Sequence, residues 1–252
     1  MQRNTAIINN LSLSYLDNKR EGTEVFIFLH GWRCEGATFA PVYNLLEKGY
    51  RVIALDFPGF GKSELPPNGL GISGYTEILR GFLEKLNIIS PIIIGHSFGG
   101  RVGISYASEC PNGLNSLVLI NSGGIKNTSL KIRTIRLLAK VGGILGLKKL
   151  KNIFYKIFVK ESDVLHAKDD LALEKTFRNV VDEDLQCHAK NIQCPSLLLW
   201  GQKDAETPLW HGERWHELIS DSEFFVHSGD HFFFLKDPEW VKVHLVKFLS
   251  LA

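Results

Sequence analysis

Short apolar runs recur along this chain at intervals long enough to hold a helix. They read "EVFIFLHG", "YRVIALDF", "PIIIGHS", "LNSLVLINS" and "PSLLLWG", with "SEFFVHSGDH" near the end. Within each run apolar residues follow one another without polar alternation, as in strands buried on both faces of a parallel sheet. The segments between them, Phe39 to Lys48, Gly71 to Asn87, Gly99 to Cys110, Leu209 to Ser220 and Pro238 to Leu249, carry apolar residues at helical spacing. A βαβα succession of this kind predicts an α/β fold with a doubly wound, mostly parallel sheet and right-handed crossovers. The opening "AIINNLSLSYLD" predicts an antiparallel pair at one edge. With 252 residues and 44% hydrophobic content, the chain can bury one substantial core rather than two.

The rhythm stops between "INSGG" and "NIQCPSLLLWG", where helical patterns take over without a strand-like run. The expected organisation is therefore a core formed by residues 1–123 and 189–252, with a helical cap of residues 124–188 inserted between two late strands. An insertion leaving the C-terminal edge of a parallel sheet can cover whatever site lies there.

Chemistry enters at Gly95-His96-Ser97-Phe98-Gly99, a G-x-S-x-G pattern that follows the strand-like "PIII" and precedes a helix. A strand-to-helix turn of that kind lifts the serine hydroxyl above the sheet, and glycines permit the close approach of strand and helix. A serine hydroxyl is a poor nucleophile until a base accepts its proton, and the base needs a group that fixes its tautomer. Two later strand ends supply candidates: Asp204 follows "LLLWGQK" and His231 follows "FFVHSGD". The chain order Ser97, Asp204, His231 suits an α/β sheet that brings all three to one edge. Asp230 is a poorer acid because it adjoins His231. The preceding strand end, at Asn121, offers no carboxylate. Asp56, His96 and His30 read as structural, with His30 supporting its own loop through hydrogen bonds.

With these residues in hand, the chain resembles the α/β-hydrolase fold superfamily across essentially its full length. "FLHGW", Phe28 to Trp32, matches the loop after the third strand of that family, and "DFPGFGKS", Asp56 to Ser63, the loop after the fourth. The resemblance implies that the backbone N–H groups of Trp32 and Phe98 form an oxyanion hole. Members that open epoxides or displace halide carry aspartate at the elbow, so Ser97 implies acyl transfer through an acyl-enzyme. The expected function is a serine hydrolase of carboxylic esters, small or medium acyl esters or lactones. Other enzymes sharing the triad stay open: carbon–carbon bond hydrolases, iminopeptidases, perhydrolases and carrier-protein methyl ester esterases, whose motifs "HGW" and "LDFPGFGKS" resemble. A ligand-binding receptor that retains the fold is the non-enzymatic alternative.

No dinucleotide fingerprint, P-loop or metal-binding cluster appears, so neither cofactor nor metal is expected. Cys34, Cys110, Cys187 and Cys194 form no CxxC pair, and neither a leader nor a transmembrane-length apolar run is evident. A cytoplasmic protein is the expectation. The formal net charge is only +2, yet from Gly124 to Lys160 there are ten basic residues and no acidic one, which leaves −8 for the remainder. Ile132, Ile135, Leu138, Val141 and Leu145, then Ile153, Phe154, Ile157 and Phe158, recur at helical spacing there, predicting two basic amphipathic helices. Their positive face is either a solvated lid surface or a docking face for an anionic membrane or an acidic acyl carrier protein. Nucleic acid is not an expected partner, because the aromatic residues of the stretch belong to its apolar faces.

Overall fold

A computed structural model describes residues 1–22, 24–126 and 171–250. The chain opens with β1 (Gln2–Ile8) and β2 (Leu11–Asp17), paired antiparallel through a two-residue turn at Asn9 and Asn10. Both asparagines have positive φ, 48° and 64°, which the tight hairpin turn demands and which asparagine tolerates better than most residues. Then follow β3 (Val25–Leu29), a short α1 (Ala40–Tyr43), β4 (Arg51–Leu55), α2 (Ile72–Lys85), β5 (Ile92–His96), α3 (Phe98–Glu109) and β6 (Ser116–Ile120). Beyond residue 170 come α4 (Leu171–Asp182), α5 (Gln186–Ala189), β7 (Ser196–Gly201), α6 (Leu209–Leu218), β8 (Ser222–His227), α7 (Phe233–Lys236) and α8 (Pro238–Leu249).

The strands form one eight-stranded sheet in the order β1-β2-β4-β3-β5-β6-β7-β8. Only β2 breaks the parallel run, pairing antiparallel with both β1 and β4. Strand order reverses between β3 and β5, so the loops leaving their C-terminal ends diverge and open a crevice there. The apolar runs follow from this two-sided burial. In β3, Ile27 and Leu29 enter the core beneath α2, α3 and α6, while Phe26 and Phe28 enter the opposite core with α1 and α8.

One expected helix is shorter than its pattern. Phe39 to Lys48 follows a 3-10 turn, Gly36–Phe39, with α1 and then turns that mix i→i+3 bonds, Leu45 N–H to Val42 O and Leu46 N–H to Tyr43 O, with the i→i+4 bond from Glu47 N–H to Tyr43 O. Tighter winding still buries Phe39, Val42, Tyr43 and Leu46 on the sheet, and so satisfies the same apolar periodicity. The two expected basic helices lie outside the described residues. Among the described residues no helix is long and apolar enough to cross a membrane.

Candidate active site

Ser97 sits between the end of β5 and the start of α3 with φ 51° and ψ −107°. A non-glycine residue in that region costs about 1–3 kcal/mol, so the surrounding structure must impose it. It does so through the backbone. The Ser97 N–H donates to Ile120 O at 3.1 Å, and its carbonyl accepts from Gly123 at 3.1 Å and Arg101 at 3.3 Å. The flanking glycines are sterically required. A methyl group on Gly99 would lie 2.0 Å from the Leu29 carbonyl oxygen, and one on Gly95 would lie 2.7 Å from the backbone of Gly100.

Beyond β7, Asp204 is fully enclosed by donors. Its Oδ1 accepts the backbone N–H groups of Glu206 (2.7 Å) and Thr207 (2.9 Å), and its Oδ2 accepts the Thr207 hydroxyl (2.8 Å). His231 donates from Nδ1 to Asp204 Oδ2 at 2.6 Å, and both residues are buried. This contact fixes the tautomer and leaves Nε2 for proton exchange. The loop bearing His231 is itself fastened by Asn121, whose Nδ2 donates to the carbonyls of His231 (2.9 Å) and Asp230 (3.2 Å) while Oδ1 accepts from the Gly201 N–H (2.8 Å).

The sequence-predicted acid and base are thus in contact, but the serine and the base are not hydrogen-bonded. Among the described residues Ser97 Oγ has no hydrogen bond, and His231 Nε2 lies 3.3 Å from Glu206 Oε2. Ser97 is nevertheless next to this loop. The preceding side chain, His96, packs its ring 4.6 Å from that of His231 and donates from Nε2 to the His231 carbonyl at 3.0 Å. Burial, aided by the adjacent His231, holds the His96 imidazole well below the usual histidine range and therefore neutral.

Trp32 and Phe98, the expected oxyanion-hole residues, bring their loops together through an edge-on ring contact at 5.6 Å. A methyl group on Gly31 would lie 3.6 Å from Ser97 Cβ, so the loop before Trp32 runs directly past the serine. Phe98 is the first residue of α3, where helix geometry leaves the N–H without an intrahelical partner. Trp32 also packs on Phe60 at 4.9 Å and on Phe177 of α4 at 5.1 Å, giving the crevice an aromatic wall.

Asp230 faces the surface, where its Oδ2 accepts from Lys236 Nζ at 2.5 Å; that bond lowers its carboxyl pKa. Asp56 is wholly buried and accepts from the Gly36 and Lys62 N–H groups and from Arg3. His30 donates from Nδ1 to Gly31 O at 2.7 Å and accepts the Phe57 N–H at Nε2, 3.0 Å, which braces the loops after β3 and β4. The sequence reading missed Asn121 as the clamp on the histidine loop, Thr207 as a donor to the acid, and Glu206. The local string D-A-E-T held a signal for Thr207, since a hydroxyl three residues after an aspartate closes a turn of this type.

The model of the alpha/beta hydrolase family matches residues 26–242, and the chain belongs to that family. It is 25% identical to an uncharacterized hydrolase of Bacillus subtilis strain 168, YugF, over 96% of both chains. It is 30% identical to a 2-hydroxy-6-oxononadienedioate/2-hydroxy-6-oxononatrienedioate hydrolase of Cupriavidus pinatubonensis, over 81% of this chain and 79% of that one. Among solved structures, a bacterial membrane phospholipase A superposes with a TM-score of 0.79 over 99% of this chain and 86% of that one; at 20% identity the likeness is one of fold.

Proposed function

We propose that this hydrolase cleaves carboxylic esters, of small or medium acyl chain, or lactones, through an acyl-enzyme formed on Ser97. The observation that carries the reading is the strained, glycine-framed turn holding Ser97 beside the buried Asp204–His231 pair. In this reading His231 Nε2 accepts the hydroxyl proton as Ser97 Oγ bonds to the substrate carbonyl carbon. The resulting oxyanion is met by the N–H groups of Trp32 and Phe98. The tetrahedral intermediate then expels the alcohol, which takes the proton from Nε2, and a water molecule repeats the sequence to release the acid. Residues 124–188 serve as the cap, with α4 contributing Phe177 to the aromatic wall.

A second reading draws on the relative named as a 2-hydroxy-6-oxo dioate hydrolase. There the same residues would cleave a carbon–carbon bond beside a ketone. One panel separates the two: chromogenic esters of graded chain length, lactones and a ring-cleavage diketone, each assayed with the native chain and Ser97→Ala. Multiple turnovers on esters, lost by several orders of magnitude in Ser97→Ala, support ester hydrolysis. Turnover confined to the diketone transfers the function to carbon–carbon cleavage. Stoichiometric reaction without turnover points to a receptor.

A further inference from the structure

Glu206 stands beside Nε2 of His231. Its backbone is pinned by the bond from its N–H to Asp204 Oδ1, while its side chain, about half exposed, brings Oε2 to 3.3 Å from His231 Nε2. Among the described residues that carboxylate meets His231. In a serine hydrolase Nε2 is the nitrogen that hands the proton to the leaving group, so a charge adjoining Nε2 adjoins the atom that departs. The acid loop could carry an apolar or neutral side chain at this point without disturbing Asp204, whose four contacts from Glu206, Thr207 and His231 use no part of the Glu206 side chain.

We propose that Glu206 sets the charge selectivity of the leaving-group side of the site, favouring departing groups that carry a positive charge and disfavouring those that carry a negative one. The inference rests on Ser97 and His231 acting as nucleophile and base, and it names the chemical class of the substrate's alcohol or thiol half: cationic or neutral.

The test compares two phosphorylating reagents, diethyl phosphorothiolates whose thiol leaving group bears a trimethylammonium or a sulfonate. With either, Ser97 Oγ bonds to phosphorus, the phosphorus–sulfur bond breaks, and the hydroxyl proton passes through Nε2 to the departing thiol. Rates of labelling are read from intact mass in the native chain, Glu206→Gln and Glu206→Asp. The cationic reagent should label the native chain about tenfold or more faster than the anionic one, the scale expected for one half-exposed charge acting in opposite directions on two reagents. That ratio should fall at least about fivefold in Glu206→Gln and persist in Glu206→Asp, a pattern that altered packing alone does not produce. Equal ratios in native chain and Glu206→Gln overturn the inference and leave the serine mechanism standing. Absence of labelling at Ser97 by both reagents overturns the mechanism and the inference with it.

Discussion

His231 lies between two carboxylates of different character. Asp204 is buried, holds Nδ1 at 2.6 Å and spends its remaining lone pairs on Thr207 and the Glu206 N–H, so its position is over-determined. Glu206 reaches Nε2 from solvent. Under the proposed mechanism Asp204→Asn should lower kcat by about 10⁴-fold, because an amide presents a donor where the imidazole needs an acceptor and the wrong tautomer results. Asp230→Asn, which severs only the surface pair with Lys236, should change kcat by a few-fold at most. Steady-state kinetics on one ester decides the matter, and the reverse ranking would remove Asp204 from the mechanism. The contact between Asp204 and His231 and the turn at Ser97 could be anticipated from the sequence because each of the three residues follows a recognisable apolar run. Asn121 was legible only as a missing carboxylate: its three bonds to Gly201, Asp230 and His231 join residues far apart in sequence, and no local pattern encodes them.

At the scale of elements, the turn from β5 to α3 is built by exclusion. Gly95, Gly99 and Gly100 each leave room for a backbone or side chain that a methyl group would strike, Gly99 most severely. Gly99→Ala therefore forces α3 away from the end of β3 and should destabilise the chain by about 1–3 kcal/mol or more. Gly22→Ala is a useful contrast, since φ is 69° there but no described residue beyond its chain neighbours lies within 4 Å of the added methyl group, and about 1 kcal/mol is expected. Urea-unfolding midpoints check both; equal losses would mean that the elbow is not closely packed. Arg101, one turn into α3, donates from Nη1 to Val180 O at 2.7 Å and Glu183 O at 3.1 Å, satisfying carbonyls at the end of α4 that helix geometry leaves open. The parallel strands were readable from their two-sided apolar runs. The shortened α1 was not, because 3-10 turns and an α-helix bury nearly the same residues over so short a stretch.

Taken whole, the molecule stores neutral histidines in its interior. Burial lowers His30 to about 4, and burial, reinforced by Arg101, lowers His211 to about 4; His96 shifts in the same direction. Among the described residues neither ring nitrogen of His211 has a hydrogen-bond partner, which adds to the cost of charging it. Unfolded histidines take up protons near pH 6.5, whereas His30 and His211 stay neutral in the folded chain down to about pH 4. Across that window the unfolded state binds more protons, so stability is fully present above about pH 6.5 and falls as pH is lowered toward 4. The loss amounts to about 3 kcal/mol per histidine at most. Urea midpoints measured from pH 7 to 4.5 should fall steadily, and a flat profile would show that these imidazoles charge without penalty.

The central claim, that esters are cleaved through an acyl-enzyme on Ser97, is tested most directly by trapping the intermediate. The native chain is mixed with a chromogenic acetate ester, quenched in acid during the first turnover, digested and examined by mass spectrometry. An acetyl group on the peptide bearing Ser97, absent in Ser97→Ala and slow to accumulate in Asp204→Asn, is the predicted result. Steady turnover of the ester with no acyl group on Ser97, undiminished in Ser97→Ala, would contradict it.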